Sequence, residues 1–204
     1  TLTHLEDDGT KIEPMYFVPI LPMVLINGAD GIGTGYSTQV PCYSPKDVED
    51  NVLRCLNNEP QVPMVPWYRG FKGRIVQGGA EGRFTTHGVW ARGDSGSVIE
   101  ISELPIGRWT SDYKEFLDGL LVADAIKGFE NHSTETDVRF TIRLAKATSD
   151  EDIEKQFKLS SALSTSNMHL FDKDGCIVHY DTPEEIVEAF VRTRSVYYKL
   201  RKAH

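Results

Sequence analysis

Apolar positions recur along the chain in two periods, and these mark where helices and strands belong. Val48, Val52, Leu53 and Leu56 follow helical spacing behind Ser44-Pro45-Lys46-Asp47. That start combines a capping serine, a proline at the first helical position and an acid in the first turn. Tyr113, Phe116, Leu117 and Leu120 repeat the pattern after Thr110, and a shorter helix is predicted from Ser149 through Ile153 to Phe157. The clearest start is the capping box Thr182-Pro183-Glu184-Glu185. Behind it Ile186, Phe190, Tyr197 and Leu200 carry an apolar stripe to the end of the sequence. A helix still amphipathic at the last residue, and a first residue other than methionine, predict a piece of a longer protein.

Strands show the shorter period. Val138, Phe140, Ile142 and Leu144 alternate with Arg139, Thr141 and Arg143, as in a strand buried on one face. Residues 168–171 and 176–180 flank Asp172-Lys173-Asp174-Gly175, a predicted hairpin with glycine in its turn. Weaker strand signals lie at 73–77, 88–91 and 98–101, with glycine-rich turns at 78–82 and 93–96 between them. The predicted class is α+β, a mainly antiparallel sheet with packed helices, with no internal repeat and no linker long enough to separate a pair of domains.

Composition narrows this further. A chain of 204 residues with 40% hydrophobic and 25% charged residues can bury a core. Its longest uncharged apolar stretch, residues 17–26, is broken by Pro19 and Pro22 and does not read as a membrane span. The first residues lack the features of a signal peptide. Cys42, Cys55 and Cys176 are odd in number and far apart, which argues against a disulfide framework or zinc knuckle and predicts a reducing compartment. The net charge of −8 argues against a basic nucleic-acid coat, yet the charge is segregated. Residues 191–204 hold Arg192, Arg194, Lys199, Arg201 and Lys202 without an acid, and residues 60–75 hold Arg69, Lys72 and Arg74 without one. Each patch also reads as an ordinary solvated face.

The most unusual stretch runs from Asn27 to Ser37, with Gly28, Gly31, Gly33 and Gly35 inside it. Its third glycine is misplaced for a dinucleotide loop, and the segment before it carries two prolines that a central parallel strand would not tolerate. No Gly-Lys-Ser/Thr follows, so a phosphate-binding P-loop is not indicated either. The spacing leaves Ile32 alone between two glycines. Such a side chain has two fates, an anchor in the core or a wedge into something outside. General burial statistics favour the anchor, whereas proteins that kink DNA insert such residues between base steps.

Other leads are weak. Asp172-Lys173-Asp174-Gly175 lacks the remaining ligands of a calcium loop. Only His169 and His179, of six histidines, fall on neighbouring predicted strands. Trp67, Tyr68 and Phe71 read as core rather than as a base-stacking platform.

Five blocks carry a resemblance. Residues 13–28, Glu-Pro-Met-Tyr-Phe-Val-Pro-Ile-Leu-Pro-Met-Val-Leu-Ile-Asn-Gly, are followed by Gly31-Ile32-Gly33-Thr34-Gly35. Then come Pro66-Trp67-Tyr68-Arg69-Gly70-Phe71-Lys72-Gly73, and Glu100-Ile101-Ser102-Glu103-Leu104-Pro105 with Trp109, Tyr113 and Lys114. Ser166-Asn167-Met168 with Leu170-Phe171-Asp172, and a closing Tyr197-Tyr198 with Leu200-Arg201-Lys202, complete the set. In this order the blocks closely resemble the DNA-gate region of eukaryotic-type DNA topoisomerase II. Bacterial gyrase A shares only the Asn-Gly and Gly-Ile-x-x-Gly core, and departures from the family pattern gather in 78–96.

The resemblance implies residues 1–20 as the tail of a winged-helix region, 21–181 as a tower or shoulder domain, and 182–204 as the start of a coiled-coil arm. It implies an enzyme that cuts both strands of one duplex through phosphotyrosine links, passes a second duplex through and reseals the break. That enzyme would use ATP and Mg2+, dimerise with itself through other regions, and work in the nucleus without a membrane. No catalytic or metal-binding residue is carried over onto this chain, which alone should not cleave DNA. By family correspondence Ile32 enters the base stack of double-stranded DNA and Trp109 contacts it. Gly31, Gly33 and Thr34 suit close approach to phosphates, and Arg69 and Lys72 are candidates for the flanking duplex. The competing reading is a stand-alone soluble module whose glycine loop binds a nucleotide or a protein partner.

Overall fold

The computed structural model describes every residue except Thr1, Tyr16 and Ser95. It divides into two compact units, Thr1–Tyr68 with Thr165–His204, and Arg69–Ser164. The chain leaves the first unit after Tyr68 and returns to it at Thr165.

The first unit opens with strands β1 (His4–Asp7) and β2 (Thr10–Pro14), an exposed antiparallel pair. Helix α1 (Met23–Asn27) is a single turn that ends on Gly28. Strands β3 (Ala29–Ile32) and β4 (Ser37–Val40) form a hairpin, and helix α2 (Pro45–Leu56) follows.

The second unit contains β5 (Arg74–Gln77), β6 (Arg83–His87), β7 (Val89–Arg92) and β8 (Val98–Glu103), then helix α3 (Thr110–Val122). It continues with β9 (Ile126–Asn131), β10 (Phe140–Leu144), helix α4 (Asp150–Gln156) and β11 (Ser160–Ser164). The chain then returns to the first unit through β12 (Met168–Phe171), β13 (Ile177–Tyr180) and helix α5 (Pro183–Ala203).

All strand pairing among the described residues is antiparallel, in the expected α+β class. In the second unit the sheet order is β7-β8-β10-β9, with a separate β11-β6-β5 sheet. The alternation along β10 buries Phe140, Ile142 and Leu144 with Ile99 and Ile101 of β8. Helix α3 adds Tyr113 and Leu117, and Ile153 and Phe157 close the same core. The Tyr113 hydroxyl donates to the Phe157 carbonyl at 2.8 Å, so the buried phenol keeps a partner. Strand β10 begins at Phe140, leaving Val138 just outside it.

The core of the first unit joins Leu25, Val40 and Tyr43 to Val48 and Val52 of α2 and to Ile186, Val187 and Val191 of α5. Helical spacing overestimates the inward face of α2, since Leu53 and Leu56 are exposed. Asn51 is buried instead, with its amide nitrogen donating to the Val62 carbonyl and its amide oxygen accepting the Val62 N–H, both at 2.8 Å. Those two bonds hold the segment after α2 in place. The Thr182 hydroxyl accepts the Glu185 N–H, as the predicted cap of α5 requires, and Ser149 caps α4 through Asp152 N–H. Ser44 occupies the cap position of α2 without a side-chain bond.

Gly28 is fixed by a close approach. Its φ is +70°, and a Cβ there would lie 2.9 Å from both Cys42 Sγ and the Val40 carbonyl oxygen. This packing seats the root of the β3–β4 hairpin on the core.

Candidate functional site

The glycine-rich segment folds as that hairpin. Its four cross-strand pairs run from Ala29 with Val40 at the root to Ile32 with Ser37 at the tip. The turn spans Gly33-Thr34-Gly35-Tyr36 and is closed by Gly33 N–H on the Tyr36 carbonyl at 2.7 Å. Gly35 has φ +83°, a left-handed angle that a residue without a Cβ adopts freely. Only the root buries apolar surface, through Val40.

Ile32 is therefore at the end of the ladder with almost nothing against it. Its exposure is 94%, against complete burial for Leu25 a few residues earlier. Of the two fates open to it, this conformation excludes the core anchor. Gly31, Gly33 and Thr34 are exposed beside it, and Tyr36 adds a half-exposed aromatic ring that spacing does not single out. A strand–turn–strand places no helix N-terminus behind the glycines, so the phosphate cradle of a nucleotide loop is not formed here.

The hairpin is braced from outside. Three consecutive residues of β4 bond to residues 167–169. The Gln39 N–H donates to the Asn167 carbonyl at 2.7 Å, the Asn167 amide nitrogen to Ser37 Oγ at 2.9 Å, and the His169 N–H to Thr38 Oγ1 at 3.2 Å. The Asn167 amide oxygen lies 2.9 Å from His169 Nδ1, and the His169 ring stacks obliquely on Tyr36 and His179 at 6.0 and 4.8 Å. In the sequence Asn167 is one residue of a family block, with no role attached to it. No local spacing shows that a residue 130 positions from Ser37 holds it.

The remaining predicted contacts belong to the second unit. Trp109 is the N-cap of α3 and is 72% exposed. Arg69 is exposed. Lys72 is also exposed, but its ammonium lies 2.8 Å from Asp137. Each of the two stabilises the other's charged form, lowering the Asp137 carboxyl and raising the Lys72 ammonium from their ordinary values. The charge patch read from 60–75 is thus partly neutralised by a residue 65 positions away.

The weaker leads resolve simply. Asp172 accepts the backbone N–H groups of Asp174 and Cys176, both at 2.9 Å, so it is a turn residue. Among the described residues no group of three His, Cys, Asp or Glu is arranged to hold a metal ion, and no helix is long and apolar enough to cross a membrane. Trp67, read as core, is 42% exposed, whereas Tyr68 and Phe71 are half-buried. Tyr16 of the first family block lies outside the described residues. So does Ser95 of the predicted 93–96 turn, which Gly96 N–H closes on the Gly93 carbonyl.

Comparison with known proteins extends the same picture. The family model for the DNA gyrase/topoisomerase IV A subunit matches residues 1–204. DNA topoisomerase 2 of Plasmodium falciparum is 43% identical over 100% of this chain and 15% of its own length. That of Arabidopsis thaliana is 46% identical over 98% of this chain and 14% of its own. A Dictyostelium discoideum relative named mitochondrial DNA topoisomerase 2 is 41% identical, with 16% of its length covered. The chain thus spans a small part of the curated relatives it matches. The crystal structure of the Plasmodium falciparum topoisomerase II DNA-binding, cleavage and re-ligation domain superposes with a TM-score of 0.90 at 41% identity. The match covers 99% of this chain and 28% of that one.

Proposed function

The chain belongs to the DNA gyrase/topoisomerase IV A-subunit family, among its eukaryotic topoisomerase II relatives, and from that premise we propose that it is the duplex-bending segment of a topoisomerase DNA gate. The observation that carries the reading is Ile32, bare at the tip of a braced hairpin. Burying an isoleucine side chain between base pairs removes it from water, worth about 1.5–3 kcal/mol. Bending a site of 20–30 base pairs sharply costs on the order of 1–6 kcal/mol. One wedge offsets part of that cost, and phosphate contacts made only to bent DNA supply the remainder.

Those contacts fall to groups that need no particular sequence. Backbone N–H groups around Gly31 and Gly33, the Thr34 hydroxyl, the Trp109 ring and the Arg69 guanidinium read phosphate, sugar and shape rather than base edges. Lys72 contributes less while Asp137 holds it. Such readout suits an enzyme that acts anywhere along a genome.

Residues 21–181 are then the tower and α5 the start of the arm. Strand cleavage belongs to other parts of the enzyme, which supply the nucleophilic tyrosine, the Mg2+ site and the ATPase. Homodimerisation through those parts, and nuclear residence, belong to the same reading. In the complete enzyme, Ile32→Ala should reduce the bend of a duplex labelled at both ends for energy transfer, and supercoil relaxation with it. An unchanged bend would overturn the wedge role.

A further inference from the structure

A hairpin that must enter a base stack cannot swing freely, and its own ladder is too short to prevent that. Strands β3 and β4 contribute four residues each, in a two-stranded sheet of a kind that is marginal alone. Gly31, Gly33 and Gly35 loosen it further. At its tip, Asp30, Gly31 and Ile32 are exposed or half-exposed on one strand and Ser37 is exposed on the other, so apolar packing holds only the root.

We infer that Asn167 is the positioning residue that fixes the inclination of this hairpin, and so of Ile32, before DNA arrives. The inference rests on the bending role proposed for Ile32. Asn167 engages β4 twice, through its carbonyl on the Gln39 N–H and its amide nitrogen on Ser37 Oγ. Ser37 is the residue directly opposite Ile32, so the second bond acts at the wedge's own cross-strand pair. The other end of the amide is occupied too. With its nitrogen turned to Ser37, its oxygen faces His169 Nδ1 at 2.9 Å, a contact that is a hydrogen bond when that nitrogen carries the proton. With the proton on Nδ1, rotating the amide by half a turn would set Nδ2 against that N–H, so this tautomer of His169 favours the orientation that turns the nitrogen to Ser37. The backbone of His169 then holds Thr38, the residue between the two that Asn167 holds. A wedge already held in place enters the stack without the entropic cost of ordering the hairpin at that moment.

The test uses the complete enzyme and two readouts. The first is hydrogen–deuterium exchange of peptides spanning 29–40 without DNA. The second is the bend of an end-labelled duplex. Asn167→Ala should speed exchange in that window by about five- to tenfold, as expected for one or two neutral hydrogen bonds lost. It should also lower the bent fraction. Asn167→Asp should retain wild-type exchange, because the Ser37 hydroxyl can turn to donate to the carboxylate while His169 still donates to it. Ser37→Ala should speed exchange less than Asn167→Ala, and the double variant no more than Asn167→Ala.

Unchanged exchange in Asn167→Ala overturns the positioning role whatever Ile32 does. So does faster exchange with an unchanged bend, provided that Ile32→Ala still reduces bending. An unchanged bend in Ile32→Ala itself removes the proposed function, and this inference with it.

Discussion

Ile32 and Ser37 face each other as the outermost pair of the β3–β4 hairpin, and their side chains are treated oppositely: the isoleucine is 94% exposed, whereas the serine hydroxyl is taken by Asn167. One strand is held and the other presents an apolar group. A protein that only needed to fold would more commonly bury that group.

The glycines at the root and tip of the hairpin serve different ends, and substitution separates them. Gly28→Ala meets both a positive φ and two atoms at 2.9 Å, so it should destabilise the first unit by about 2–3 kcal/mol. Gly35→Ala meets only the positive φ, with no atom within 4 Å, and should cost about 1 kcal/mol. Denaturant midpoints measure both. Equal losses would contradict the close packing assigned to Gly28.

Two buried tyrosines should respond oppositely to losing their hydroxyls. Tyr113→Phe leaves the Phe157 carbonyl without its donor and should cost about 1–2 kcal/mol. The Tyr43 hydroxyl is buried without a hydrogen-bond partner among the described residues, so Tyr43→Phe should be neutral or stabilising. Urea unfolding of each variant decides the matter, and a loss in Tyr43→Phe as large as that in Tyr113→Phe would contradict the account.

How much of this is legible in the sequence depends on how local each cause is. The start of α4 at Ser149, the cap of α5, the alternation of β10 and the β12–β13 hairpin follow from neighbouring residues, and the structure has them where expected. Strand β11, Ser-Ser-Ala-Leu-Ser, carries no apolar alternation and exists because β6 pairs with it. Strand β6 escapes the pattern for a related reason: Thr86, fully buried between two partner strands, reads as polar in the sequence. The isolation of Ile32 can be read from spacing, but its exposure cannot, because that depends on what the rest of the chain leaves uncovered. The Lys72–Asp137 pair and the Asn167 brace join residues 65 and 130 positions apart, beyond the reach of any periodicity.

Alkali should weaken the protein in a defined window. Burial raises the phenols of Tyr43, Tyr68 and Tyr113 above their ordinary range, Tyr68 to about 12. Unfolded tyrosines ionise near about 10. Because the folded values are raised, the contribution is fully present below about pH 10 and is lost as pH rises toward the folded values. Unfolding free energies measured from about pH 8 to 11, with phenolate absorbance followed alongside, should fall beyond about pH 10. A flat profile there would contradict the buried phenols.

The basic candidates should also differ. If Arg69 meets a phosphate, Arg69→Gln should reduce the slope of log affinity against log salt by about 0.9. Lys72→Gln should change it less, because Asp137 already competes for the ammonium. Duplex binding by the complete enzyme at several salt concentrations measures both slopes. A larger change for Lys72 would show that DNA displaces Asp137.

The wedge itself is tested most directly by a fluorescent adenine analogue placed at the bent base step, whose emission rises when its neighbours unstack. With the complete enzyme bound, emission should rise for the unaltered protein and for Ile32→Leu, and stay near the free-duplex level for Ile32→Ala at saturating protein. Equal emission from the alanine variant would mean that some other group parts the bases.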